Sequence, residues 1–290
     1  MSEPPEAFAA IEANWRPHPE TSEDVITVKP PETFAALLDQ PAPVRTAGDP
    51  LPPLWHWFFF DTIHPQATLG QDGHPANASF TPPLPHRRRM FGGGRLTVHQ
   101  PLRCGDQVQR RSSLGSVRVR HGSTGWLLLV TVRHEFLVGG QLRVLEEQDL
   151  VYRDADDLRS GPTAPPEMTE PAERGPWQLR VRPDPVLLFR FSALTHNAHR
   201  IHYDQPYATQ VEGHPGLVVH GPLLALLLLE LPRREAPDRT VRDFRWRACR
   251  PLFDHQLVTV SGGSGGELTA GAAGAPDAVT GQVTLDEESE

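Results

Sequence analysis

Nine residues from Leu223 to Leu231, LLALLLLEL, constrain this chain more than any others. They are apolar on nearly every face, so the helix they form belongs in a core and not on a surface. The run is too short to cross a bilayer, which takes about 20 residues. It begins at His220, Gly221 and Pro222. Proline suits the first helical turn because its missing N–H would have no partner there. The helix N-terminus then offers unpaired N–H groups and a partial positive charge, the means to stabilise an oxyanion.

Ahead of this helix lies a polar loop in which His196, Asn197, His199, Arg200, His202 and Asp204 fall within nine residues. Imidazoles exchange protons near neutral pH, so loop and helix end together read as a site, against the plainer reading of a solvated, hydrogen-bonded loop. His196, His199 and His202 are spaced by three. No carboxylate or cysteine pattern accompanies that spacing, and neither a metal nor a cofactor is assigned.

The remaining chain reads as sheet. Its 31 prolines imply many turns and extended connections. A short extended piece is expected at Val25–Val28 and a helix at Pro31–Leu38. Strands are expected across Leu96–Arg153, with hairpin tips at His121–Ser123 and Gly139–Gly140. Further strands are expected at Val186–Phe191, Val241–Arg247, Gln256–Ser261, Leu268–Ala273 and Val279–Leu285, with a tip at 262–266. Residues 154–183, rich in Pro and Glu at their start, read as a linker between halves 1–153 and 184–290. Trp55, Trp57, Phe58, Phe59 and Phe60 are either core or cover for a ligand. Arg87, Arg88 and Arg89 precede Gly92, Gly93 and Gly94. Forked guanidinium bonds and close backbone approach suit a nucleotide phosphate, but a solvated face stays open and no P-loop ending follows.

A net charge of −8 argues against nucleic acid as the main partner. Two cysteines, Cys104 and Cys249, are too few for a disulfide framework, and the first residues show no secretory pattern. A cytoplasmic protein, off the membrane, is expected.

The run Thr195-His196-Asn197-Ala198-His199-Arg200-Ile201-His202, followed by His220-Gly221, resembles the hydratase 2 motif of MaoC-like dehydratases. His196 stands where that motif has Gly, Asn197 where it has the catalytic Asp, and His199-Arg200 where it has Asn-Pro. The form THNAHRIHYDQPYA, preceded by LGQDGHP, PPLP and RRRMFGGGRL, is closer to a branch that includes mesaconyl-C4-CoA hydratase, itaconyl-CoA hydratase and hydroxyacyl-thioester dehydratase type 2. That resemblance covers roughly Leu51 to Gly262. It implies an α+β double hotdog: two antiparallel sheets, each wrapping a central helix, the first half having lost its own catalytic loop.

The resemblance also implies hydration or dehydration of an acyl thioester carried by CoA or an acyl carrier protein, the acyl group being a short branched dicarboxylic one such as mesaconyl or itaconyl. His202 would be the acid/base, Asn197 the orienter of water or substrate, and the Gly221 N–H the oxyanion donor. His199, Arg200, His220, Arg87, Arg88, Arg89, Gly93 and Gly94 would bind substrate, and a homodimer is expected. A noncatalytic thioester-binding module and a hotdog thioesterase are the alternatives, since a fold does not fix a reaction.

Overall fold

The computed structural model describes residues 3–61, 63–76, 78–84, 88–122, 125–153 and 175–286, with Arg88 described by its backbone alone. Arg87, most of the expected linker and the tip after Gly122 lie outside the described residues. Within them the chain forms α1 (Glu6–Asn14), β1 (Glu20–Val25), α2 (Lys29–Leu37), β2 (Arg88–Val98), β3 (Gln107–Gly122), β4 (Gly125–Val138) and β5 (Gln141–Arg153). It continues with β6 (Trp177–Val181), α3 (Pro185–Leu194), α4 (Gly221–Glu235), β7 (Val241–Ala248), β8 (Val258–Gly262), β9 (Glu267–Ala272) and β10 (Val279–Leu285).

All ten strands join one antiparallel sheet in the order β1-β3-β4-β5-β2-β7-β10-β9-β8-β6. Read inward from its two edges, that order is palindromic. In each half an edge strand is followed by a helix, then the innermost strand, then a three-strand meander. The two expected sheets are therefore one, fused where β2 pairs with β7 from Gly93↔Arg247 to Thr97↔Asp243. Pairing of β6 with β8 makes Trp177–Val181 the outer edge of the second half, although it falls in the stretch expected as linker.

α4 is the buried helix that its sequence requires: Leu223, Ala225, Leu226, Leu228 and Leu231 are all inaccessible. It packs against β8, β6, β9, β10 and β2. Its counterpart in the first half is a single 3-10 turn, Trp55–Phe58. Pro52 and Pro53 precede that turn, and left-handed backbone at Leu54 (φ 68°) and Phe60 (φ 63°) closes both ends. The turn is anchored by Glu146, which is fully buried and accepts from Trp57 Nε1 (2.8 Å) and Gln148 Nε2 (2.7 Å) and bonds His56 Nε2 (2.7 Å). Burial alone would push the Glu146 carboxyl up; its bonds, His56 foremost, hold it below the usual carboxylate range.

The expected strand at Val186–Phe191 is instead part of helix α3. A short, mostly apolar run interrupted by Arg190 fits either element, and the residues before it decide: Asp184 Oδ1 accepts from Leu187 N–H at 2.8 Å, and Pro185 opens the first turn. The short extended piece lies earlier than expected, at β1. α1 sits in the stretch read as a polar lead-in and buries only Phe8 and Ile11. The meander of β3, β4 and β5 follows the expected strands, and Gly139 (φ 57°) and Gly140 (φ 79°) form its tight second turn.

Candidate active site

α3 delivers the polar loop to the N-terminus of α4. The helix stops where His196 takes left-handed backbone (φ 47°) and Asn197 N–H turns back to Ser192 O at 2.9 Å. That conformation explains why a glycine would suit position 196, and a non-glycine residue held there carries a cost of about 1 kcal/mol. The His196 ring is exposed and lies 3.7 Å from Asp61, apart from the other loop histidines. Asn197 Oδ1 then accepts from His199 N–H at 3.0 Å, tightening the loop into the 3-10 turn Arg200–His202.

His202 is 7% exposed, and its Nδ1 lies 2.7 Å from Val218 O. Because a carbonyl can only accept, Nδ1 carries the proton and Nε2 is left as the basic nitrogen. Burial pushes the His202 pKa down to about 4, with the Val218 bond acting against it. His220 stacks on His202 at 3.7 Å between centroids and bonds Ser192 Oγ at 2.9 Å. Burial and the two neighbouring imidazoles hold it neutral as well. His199 meets His202 edge-on at 5.4 Å, and burial together with His74 and His202 pushes it down to about 2. Three of the expected site histidines thus form one row of neutral rings.

The row continues into the first half, where the sequence reading placed Arg87, Arg88, Arg89, Gly93 and Gly94 but no histidine. His74 lies over His199 at 4.0 Å, and its Nδ1 is 2.9 Å from Asp72 Oδ2. Burial raises the Asp72 carboxyl, but the bonds and charge of His74 outweigh it and hold the pKa at about 2. The loop is locked in place: Arg200 N–H donates to Asp72 O at 2.8 Å, and a Cβ on Gly73 (φ 89°) would fall 1.9 Å from Ala198 O. Asp72, His74 and His199 offer ligand atoms within 4.8 Å of one another, a set able to hold a metal ion. The hydrogen bond already joining Asp72 to His74 gives these groups a role without one. LGQDGHP was visible in the sequence as part of the family resemblance; its contact with His199 was not.

Arg200 is held within the loop. Nε and Nη2 donate to Asp204 Oδ2 at 2.9 and 2.7 Å, Nη1 donates to Gln71 O at 3.0 Å, and the guanidinium lies 4.1 Å from the Tyr207 ring centroid. These contacts brace the loop. Gly93 and Gly94 are likewise accounted for by packing: a Cβ at Gly93 would meet Trp246 O at 2.3 Å, and one at Gly94 would meet Glu147 O at 2.5 Å. They let β2 approach β7 and β5.

At the head of α4 the side chain of the N-cap residue His220 makes no capping bond, and no other described side chain is bonded to the first N–H groups. A Cβ at Gly221 would sit 3.1 Å from Phe91 Cδ1, so glycine there admits the aromatic wall of Phe91, Trp246 and Trp57. Among the described residues, no helix is long and apolar enough to cross a membrane.

The family model for hydroxyacyl-thioester dehydratase type 2 matches residues 54–254, which holds both loops and α4. The chain belongs to that family. It is 46% identical over 244 residues to a mesaconyl-C(4)-CoA hydratase of Chloroflexus aurantiacus, covering 83% of this chain and 84% of that one. Two solved structures share its fold. A MaoC-like dehydratase has a TM-score of 0.68 at 15% identity, over 95% of this chain and 99% of that one. A Mycobacterium tuberculosis protein described as a double hotdog fold has a TM-score of 0.55 at 14% identity, over 96% and 98%. The double hotdog is thus the fold of this family member too.

Proposed function

We propose that this chain catalyses the reversible addition of water across the double bond of an α,β-unsaturated acyl thioester. The observation that carries the reading is the His202–Val218 bond, which presents a neutral imidazole nitrogen beside the uncapped start of α4. In the hydration direction, Nε2 of His202 takes a proton from water, and the oxygen adds to the β-carbon. The electron pair of the double bond moves onto the thioester carbonyl, whose developing charge is met by the Gly221 N–H and the helix end. Collapse of this enolate takes a proton onto the α-carbon from the imidazolium, which returns His202 to its starting form. Asn197 cannot exchange protons as a carboxylate does, so its amide serves to orient water or substrate. His220 and His199 wall the base with neutral rings.

Identity to the mesaconyl-C(4)-CoA hydratase supports a short dicarboxylic acyl group on CoA. One chain holds both loops of the site, so one site per chain is expected, and a homodimer would bring together complete sites. The cytoplasmic placement rests on composition alone. Incubation with crotonyl-, mesaconyl-C4- and itaconyl-CoA, following enoyl absorbance and free thiol together, tests the reading. Loss of enoyl absorbance without thiol is expected. Thiol release, or binding with neither signal, would refute it.

A further inference from the structure

The hydration reading leaves one charge on the substrate without a partner, and on it rests a further assignment. A dicarboxylic acyl thioester carries a free carboxylate close to the reacting carbons, and Arg200 is committed to Asp204, Gln71 and Tyr207. Arg89 is placed differently. It lies two residues before Phe91 on β2, ahead of the irregularity between Phe91 and Gly93, so the two side chains share a face. Phe91 is the residue that meets Gly221 at the head of α4, whereas Met90, between them, is exposed on the other face. Arg89 is half-buried, and among the described residues its side chain makes no hydrogen bond or ion pair. A half-buried arginine with no anion beside it among the described residues has its fork free to receive one.

We propose that Arg89 selects the acyl group, its guanidinium receiving the free carboxylate of a short dicarboxylic acyl thioester while the thioester carbonyl lies at Gly221. The nucleotide phosphates of CoA are the other anions the substrate could bring. They are separated from the thioester by the whole pantetheine arm, while Arg89 shares its strand face with the aromatic that touches Gly221. Its charge also reaches His199, whose protonation it disfavours. That nearness to the reacting end favours the carboxylate. The fork of the guanidinium matches a carboxylate by two parallel bonds, which a lysine cannot reproduce.

The test measures kcat/KM for the wild type, Arg89→Met and Arg89→Lys on three substrates: crotonyl-CoA, mesaconyl-C4-CoA and the mesaconyl-C4 thioester of pantetheine. Arg89→Met should lose about tenfold to a hundredfold more on both mesaconyl thioesters than on crotonyl-CoA, with Arg89→Lys between. Turnover of crotonyl-CoA by each variant reports that it has folded. A loss on both CoA substrates that vanishes with pantetheine would assign Arg89 to phosphate and overturn the proposal. Equal losses on all three would also overturn it, leaving Arg89 as scaffold. A wild type that hydrates crotonyl-CoA but neither mesaconyl thioester would sink this inference alone; one inactive on every thioester would sink the hydration reading with it.

Discussion

Replacing Gly73 by alanine should disable the enzyme far more than it destabilises the fold. Two costs arise, and they separate. The first is backbone: φ of 89° is unfavourable for any residue with a Cβ, at about 1–2 kcal/mol. The second is steric. The new methyl would lie 1.9 Å from Ala198 O and 2.8 Å from its carbonyl carbon, and both belong to the catalytic loop's backbone. The two loops must part by about 1 Å, which strains the 2.8 Å bond from Arg200 N–H to Asp72 O and draws His74 off His199. A misplacement of that size costs on the order of 10²-fold in rate. Gly48 supplies the control: its φ is 90°, with nothing within 4 Å of the added Cβ. Gly48→Ala carries the backbone strain without the collision. Steady-state hydration of an enoyl-CoA and thermal melts should therefore show a loss of stability in both variants, larger in Gly73→Ala, and a loss of turnover only in Gly73→Ala. Equal turnover in both would refute the claim that the first-half loop positions the catalytic one.

His202→Ala should lower turnover by about 10²–10⁴ while circular dichroism stays unchanged; near-normal turnover would remove it from the mechanism. Arg200→Met should cost about 1 kcal/mol of stability, since its partners are half-exposed, and reduce activity alike on carboxylated and neutral substrates; a selective loss on the carboxylated one would return it to substrate recognition. Acid should destabilise the protein earlier than it stops catalysis. His134 and His202 are depressed to about 4 and His199 to about 2, so between their ordinary value of 6.5 and those values the unfolded chain binds more protons than the native one. Stability is therefore full above about pH 6.5 and falls as pH drops, by about 1.4 kcal/mol per pH unit for each such histidine. Denaturant midpoints at pH 7, 6 and 5 measure this; a flat profile would show that the rings are not buried neutral.

The central helix and the meander were legible because their signals are local: an apolar run behind Gly-Pro, and alternating strands with glycine tips. α3 was misread because so short and mostly apolar a run carries no period of its own, and its identity lies in the Asp184–Pro185 cap. The site histidines were legible only in the second half. His199, His202 and His220 sit close in sequence to the helix they serve, whereas Asp72 and His74 reach them across more than a hundred residues. Glycines at 93 and 94 suggested a ligand because close backbone approach looks the same in sequence whether the approaching partner is a phosphate or a neighbouring strand. Arg200 stood out by its neighbours, and the same closeness lets Asp204 occupy it.

The palindromic sheet has a consequence for how such a site can change. In a symmetric pair of identical subunits, every substitution appears twice, so a loop that serves one site must be tolerated at its mirror position. Here the two copies are on one chain and answer to different demands. A substitution in the Gln71–His74 loop alters one loop of one site, with no mirror copy obliged to accept the same residue, and the Trp55–Phe58 turn can do without a helix where α4 presents the N-terminus. Covalent fusion has turned a repeated part into two parts that drift separately.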